Sequence, residues 1–327
     1  MRFKAHFTIL LVALIPLLKS TSVYACDFCN GMMGINPYYN YSDKIMLNIL
    51  FQHSTLDALS SASSMNKLGF NNQFPGIESI ESTKHDVAGT ENSTENKINF
   101  EFAYQHHFNS KMMITGVAPI EKSSSTSERE STGLGDISIL GHYVYRPDFG
   151  LEDSPLTFLI GAGIKLPTGN FDQKHSDGDR KEIDHQKGSG SFDVILNGSA
   201  FYQLKDFTFG TDLYGKLNSK NKSDEKLGNW FSASGIVSYD AYRNDEDMIG
   251  LIAIGGVRYE FKGENSTGNE TVDKLSDFAS VFGNAGVQFI YEEIKLNVSA
   301  LFPVSQNKSK TLPTEHTRYL IGTRWEF

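Results

Sequence analysis

The sequence predicts an all-β fold, a transmembrane antiparallel up-and-down β-barrel of about twelve strands. Three observations predict it. Segments of ten or more residues alternate in hydrophobicity with period two, which gives each strand two different faces. The connections between these segments alternate long and short, as in a barrel with tight turns at one rim and long loops at the other. Composition joins polarity to aromaticity: 39% hydrophobic residues and a mean hydropathy of −0.32, yet 23 Phe, 14 Tyr, 29 Gly and only 9 Pro in 327 residues.

In chain order the predicted strands cover 43–55, 97–108, 112–121, 134–146, 155–167, 190–204, 207–218, 228–241, 248–262, 277–291, 294–304 and 315–327. Strand 43–55 precedes the longest connection, 56–96. Strand 97–108 carries Ile98, Phe100, Phe102 and Tyr104 on one face and ends at His106 and His107, near the short-turn rim. The three-residue connection 109–111 leads to 112–121, and a long one to 134–146, where Gly141 sits inside the strand. Strand 155–167 alternates through Leu156, Phe158, Ile160, Ala162, Ile164 and Leu166. In 190–204 the same face holds Phe192, Val194, Leu196, Gly198, Ala200 and Tyr202, and 207–218 opens on Phe207. Strand 228–241 sets Phe231, Ala233, Val237 and Tyr239 against Ser232, Ser234, Ser238 and Asp240. Strands 248–262 and 277–291 contain Gly255, Gly256, Gly283 and Gly286 and carry Tyr259, Phe261, Phe289 and Tyr291 at their ends. Strand 294–304 opposes Ile294, Leu296 and Val298 to Lys295, Asn297 and Ser299. The last, 315–327, is the clearest, with Tyr319, Ile321, Thr323, Trp325 and Phe327 against Arg318, Leu320, Gly322, Arg324 and Glu326.

A strand of about 9–11 tilted residues crosses the hydrocarbon layer. Backbone polar groups in lipid must all be paired, so such a sheet closes on itself. Only alternate residues face lipid, and the long loops are polar, so a membrane barrel can carry a negative mean hydropathy. An even strand number leaves both termini on the periplasmic side. Composition excludes other classes. No later run supports a helical membrane protein, two Cys make no disulfide scaffold, and a formal charge of −9 disfavours a nucleic-acid binder.

Three regions are expected: a signal peptide at 1–25, an N-terminal periplasmic segment at 26–42 and the barrel at 43–327. Arg2 and Lys4 precede an apolar run from Phe7 to Leu18, and Val23-Tyr24-Ala25 offers a cleavage site before Cys26. Cleavage removes Arg2, Lys4 and Lys19, so the mature 302 residues carry a formal charge of −12. Acylation of Cys26 as a lipoprotein is the variant reading.

Trp325 and the terminal Phe327 resemble the C-terminal assembly signal of bacterial outer-membrane barrels. Gly133-Leu134-Gly135-Asp136, a Tyr-rich strand and Lys165-Leu166-Pro167-Thr168-Gly169 resemble the barrel family named after the meta-pathway of phenol degradation. Cys26-Asp27-Phe28-Cys29 with Gly31 and Gly34 is similar to outer-membrane proteins of Bacteroidetes that carry Cys-Asp-x-Cys-Gly-Cys. This chain departs from that pattern, with Asn30 and Gly31 where Gly and a third Cys stand. The resemblance implies an outer-membrane location, a transporter role and the barrel assembly machinery as partner. Lipid and lipopolysaccharide would surround the barrel, and no nucleic acid is expected.

The candidate site is the lumen. The register set at Phe327 and its neighbours turns Glu101, Lys165, Asp193, Asn197, Asp212, Lys216, Arg258, Glu260, Asn284, Gln288, Lys295, Arg318 and Arg324 inward, and Trp230, Phe278 and Phe282 are inward candidates as well. These charges either line a selective path or pair and fill the barrel. Cys26, Cys29, Met32 and Met33 offer thiolate and thioether ligands for Cu(I) or another soft metal, and the two Cys equally suit a disulfide. No other cofactor is expected. The loop with His175, Asp177, Asp179, Glu182, Asp184 and His185 lacks full calcium-loop spacing and reads as solvated charge. The expected function is passive passage of small solutes, including hydrophobic or aromatic ones. The alternatives are metal handling through the Cys segment, and a receptor, adhesin or structural barrel using loop 56–96. An enzyme is not expected, because no strand sets a His and a Ser two apart on the lipid face as a barrel lipase would.

Overall fold

The computed structural model describes residues 46–57, 94–125, 131–147, 156–174, 178, 183, 186–244, 246, 248–268, 270–273, 277–308 and 314–327. Nearly all of them lie in one antiparallel sheet. Its strands are β1 (Met46–Asp57), β2 (Thr94–Asn109), β3 (Met112–Ser125), β4 (Ser131–Leu134 with Ser138–Tyr145), β5 (Leu156–Lys165) and β6 (Asp193–Leu204). They continue as β7 (Phe207–Leu217), β8 (Trp230–Asn244), β9 (Ile249–Lys262), β10 (Phe278–Tyr291), β11 (Ile294–Lys308) and β12 (Thr314–Glu315 with Arg318–Glu326). Each strand pairs with the next, and β12 pairs back onto β1 from Met46↔Glu326 to His53↔Tyr319, so the twelve-strand sheet is a closed barrel without a free edge. Among the described residues no helix is long and apolar enough to cross a membrane.

Alternation fixes which face is which. On β4, Ser138, Leu140, His142 and Val144 are buried while Ile139, Gly141, Tyr143 and Tyr145 are exposed. The outward face carries Ile160, Val194, Leu196, Leu213 and Val257, all more than 45% exposed. In water so continuous an apolar surface would drive aggregation, whereas in a bilayer it is the lipid contact. Aromatic side chains gather at the short-turn rim, where Tyr145 stacks on Phe158 and Phe207 contacts Tyr239. That is the interfacial belt of a barrel. A closed barrel with this outer face belongs in the bacterial outer membrane.

The expected strands and the observed ones agree in number and order, and they differ at informative places. β4 is interrupted because Gly135–Ile137 oppose only Ala118 and Pro119 of β3, one residue too many for a regular ladder. Pro119 has no N–H to donate, and a bulge is how a sheet absorbs such a residue. Pro303 on β11 has the same consequence, with the register slipping past Val304. β6 starts at Asp193, later than the expected 190, because the residues before it leave the barrel wall. A small three-stranded sheet, Glu225–Lys226 with Asn265–Thr267 and Glu270–Asp273, joins two of the long connections.

The core sits inside the barrel. It holds apolar clusters, Leu140–Ile195–Tyr214, Met113–Val144–Leu159 and Phe282–Leu301–Leu320, set among polar and charged side chains.

Candidate functional site

Every charged residue expected in the lumen lies on the face opposite the exposed apolar belt. Glu101, Lys165, Asp193, Asp212, Lys216, Arg258, Glu260, Arg318 and Arg324 are each at most 7% exposed. Asn197, Asn284, Gln288, Lys295, Trp230 and Phe282 are buried as well, and Phe278 packs edge-on against Trp230. Buried ionisable groups are costly unless paired or hydrogen-bonded, and three groups of them stand out.

The first group lies toward the long-loop end, where Lys165 terminates β5. Its ammonium stands 2.8 Å from Asp136 Oδ2 and 2.6 Å from Asp193 Oδ2. Asp136 sits in the β4 bulge and accepts further hydrogen bonds from the Gly169 N–H at 2.9 Å and from the Ser189 N–H and hydroxyl at 2.8 and 2.9 Å. Lys165 also donates to the Ser189 hydroxyl. Ser191 donates to Asp193 Oδ1 at 2.8 Å, and the Ser219 N–H binds the same oxygen at 2.9 Å. The effect is to hold residues 186–191, all buried, inside the barrel. Gly188 packs so closely on Gly169 that a Cβ would meet its carbonyl oxygen at 2.6 Å. The two glycine-containing motifs around Gly135-Asp136 and Lys165–Gly169, 33 residues apart, therefore meet in one contact, and the inserted segment is its third member.

The second group spans β9 to β12. Arg318 donates in fork geometry to Glu260, Nη1 to Oε1 at 2.9 Å and Nη2 to Oε2 at 2.8 Å. It also donates to Glu315 Oε2 at 2.8 Å, and its guanidinium lies 4.3 Å from the centre of the Phe282 ring. Arg258 Nε approaches Glu260 Oε1 at 2.7 Å. Two guanidinium groups thus share one carboxylate, with Glu315 supplying the second negative charge. On β6 and β7, Asp212 Oδ1 accepts from Ser199 at 2.6 Å and from Asn197 at 3.1 Å. At the short-turn end Lys295 meets Glu326 at 2.6 Å.

The third group is acidic and lies on β2 and β3. Asn99 is the cross-strand partner of Glu121, and its amide donates to Glu101 Oε1 at 3.2 Å. Glu101 and Glu121 act on each other electrostatically, and Arg258 acts on Glu101 from β9. Glu101 Oε2 and Asn99 Oδ1 are buried and accept no hydrogen bond.

Sequence reasoning did not single out Asp136, Ser189, Ser191, Glu315, Glu326 or Glu121 as lumen groups. The signal for Asp136 and Ser189 was present in the glycines around them, since glycine at 169 and 188 permits backbone contact. The two histidines at the end of β2 part company: His106 faces outward and packs edge-on against Phe108, whereas His107 is buried and acts electrostatically on His142. The soft-ligand candidates Cys26, Cys29, Met32 and Met33, the signal peptide and most of loop 56–96 lie outside the described residues, as do His175, Asp177, Asp179, Glu182, Asp184 and His185. Among the described residues no group of three or more His, Cys, Asp or Glu side chains is arranged to hold a metal ion.

No known family profile matches the chain. A search of curated proteins likewise gives no match. Solved structures do resemble it. An outer membrane channel from Pseudomonas putida F1 superposes with a TM-score of 0.63 at 13% identity, over 89% of this chain and 99% of that one. The β-domain of a Bordetella autotransporter gives a TM-score of 0.46 at 11% identity, over 88% of this chain and all of that one. The first shows that the fold is shared, and at such identity nothing further passes from either protein.

Proposed function

We propose that the chain is a passive outer-membrane channel for small solutes, narrowed by the inserted segment 186–191. The observation that carries this reading is the inward face itself. A purely structural barrel needs only an apolar or neutral filling, yet here charged pairs recur from Lys165–Asp136 at one end to Lys295–Glu326 at the other. Buried ion pairs are weak sources of stability compared with apolar packing of the same volume, so their retention fits a polar pathway. The likeness to a protein described as an outer membrane channel supports the same reading. The apolar clusters Met113–Val144–Leu159 and Leu140–Ile195–Tyr214 share the lumen with these charges. Small solutes that join an aromatic or aliphatic body to a polar group fit such walls better than purely hydrophobic ones.

The role is non-catalytic, and barrel insertion proceeds through the assembly machinery with Trp325 and Phe327 as its signal. The test is conductance and solute flux in planar bilayers and liposomes. Asp136→Asn removes the charge that Lys165, Ser189 and Gly169 converge on and is expected to release the segment and raise single-channel conductance severalfold. Absence of conductance and flux in both wild type and variant overturns the channel reading. Phospholipid hydrolysis by the purified protein overturns the non-catalytic one.

A further inference from the structure

We infer that β10 and β11 form a hydrogen-bonding lane for neutral, polyhydroxylated solutes, made by Asn284, Gln288, Asn297 and Ser299. The inference rests on the channel reading and names the solute class that such a channel favours. Charge recurs around the lumen, yet it is missing here. β10 holds no charged residue along its whole length, and β11 holds none between Lys295 and Lys308. Asn284, Gly286 and Gln288 alternate on the inward face of β10, and β11 sets Ser299 opposite Gly286 and Asn297 opposite Gln288. Cross-strand partners share a face with Cβ atoms about 5 Å apart, so Gln288 and Asn297 are neighbouring amides. A Cβ at Gly286 would meet the Ser299 Cβ at 2.6 Å, so glycine leaves room for the serine midway between Asn284 and Gln288.

Four side-chain oxygens of this lane are buried and hold no hydrogen bond: Asn284 Oδ1, Gln288 Oε1, Asn297 Oδ1 and Ser299 Oγ. The side chains of Asn284, Gln288 and Ser299 belong to residues only 7%, 1% and 5% exposed. A buried acceptor left unmatched is costly, and a donor brought to it removes that cost. Terminal amide torsions are broad, so a rotation turns these oxygens toward an arriving hydroxyl. The lane extends about 14 Å along the strand from Asn284 to Gln288, so a solute with several hydroxyls meets more than one of its groups at a time.

The same chemistry selects against charge. A cation on the lane would meet amide and hydroxyl oxygens with no carboxylate on either strand. Glu260 on the adjacent β9 is engaged by Arg318 and Arg258. An anion would find neutral donors only. The flanks are apolar: β9 sets Ile252 beside Gln288 and Ile254 beside Gly286, and β12 sets Leu320 beside Ser299, all three buried. A polar row between apolar edges suits the hydroxyls and C–H groups of a polyol.

The test compares one six-carbon skeleton in three charge states. Labelled sorbitol, gluconate and 1-amino-1-deoxysorbitol enter liposomes carrying the full-length protein, with KCl on both sides to compensate charge. Sorbitol is expected to enter severalfold faster than either charged analogue. Gln288→Leu with Asn297→Leu is expected to lower the ratio of sorbitol to gluconate entry by about fivefold, the worth of one neutral hydrogen bond. A change of bore alone would slow both solutes and leave that ratio unmoved. If the double variant does not fold, as heat-modifiable migration reports, Ser299→Ala is read instead, with a fall in the same ratio. Equal entry of the three solutes by wild type, or a sorbitol preference that survives the substitutions, overturns the lane and leaves the channel standing. Wild type without KCl conductance overturns the channel reading; the lane is then judged by equilibrium dialysis of labelled sorbitol against the protein in detergent. Saturable binding lost in the variant supports it, and no binding overturns it.

Discussion

Asp136 shows how much a single side chain organises in this barrel. Its two oxygens receive a lysine ammonium, two main-chain N–H groups and a serine hydroxyl, so β4, β5 and the segment before β6 depend on one carboxylate. Glu260 plays the corresponding part for β9 and β12, accepting both ends of the Arg318 guanidinium while Arg258 approaches one of the same oxygens. Removing one partner of a buried ion pair strands the other charge, at a cost of about 3–5 kcal/mol. Glu260→Gln is therefore expected to lower the unfolding free energy in detergent by roughly that amount, read from denaturant midpoints. An unchanged midpoint would show that Arg318 is satisfied by Glu315 alone. Arg258, Glu260 and Arg318, unlike Asp136 in the bulge, were legible in the sequence as inward-facing, because period-two alternation assigns a face to each residue of a regular strand. Their partners were not, since Arg318 and Glu260 lie 58 residues apart and meet only once three strand pairings are set.

At the scale of elements, irregularity does the functional work. A regular β4 would run straight past Pro119; the bulge instead turns Asp136 inward beneath the inserted segment. The segment 186–191 then fits because Gly169 and Gly188 bring two backbones together, and Gly190, at φ +71°, supports the turn over the Phe171 ring. Gly188→Val would place side-chain carbon within 2.6 Å of the Gly169 carbonyl group, so the segment is expected to leave the lumen. That change should raise conductance in the same direction as Asp136→Asn, while heat-modifiable migration shows that the wall remains folded. A conductance equal to wild type would mean that the segment does not limit passage. The sequence marked 168–189 as a long polar connection and extended the next strand back to 190. Nothing in the period-two pattern distinguishes a loop that projects into solvent from one that folds into the barrel. That choice is made by Lys165, Asp136 and Asp193 together.

For the whole molecule, closure is the central fact. Each strand satisfies its neighbours, and the β1–β12 seam from Met46↔Glu326 to His53↔Tyr319 leaves no open edge in lipid. The outward belt sets the other condition. Ile160, 64% exposed at the middle of β5, faces the hydrocarbon interior, so Ile160→Arg is expected to destabilise the barrel by about 2–4 kcal/mol in lipid vesicles. The same change at the exposed end of a strand, such as Phe207, should cost about 0–1 kcal/mol, because an interfacial arginine keeps its water. Equal costs at both depths would contradict the placement of the belt.

By itself the sequence determined the strand count, the two faces of each strand, the alternation of short turns and long loops, and the outer-membrane location. These follow from a local rule: in a strand, neighbouring side chains point to opposite sides, so a boundary between lipid and lumen is written into every second residue. Only the tertiary structure decided which inward charges meet, where prolines force the sheet to bulge, which loop re-enters the lumen, and which buried oxygens are left without a donor. Those outcomes depend on the shear and closure of the barrel, which bring residues dozens of positions apart to one height, and no periodicity along a single strand records that height.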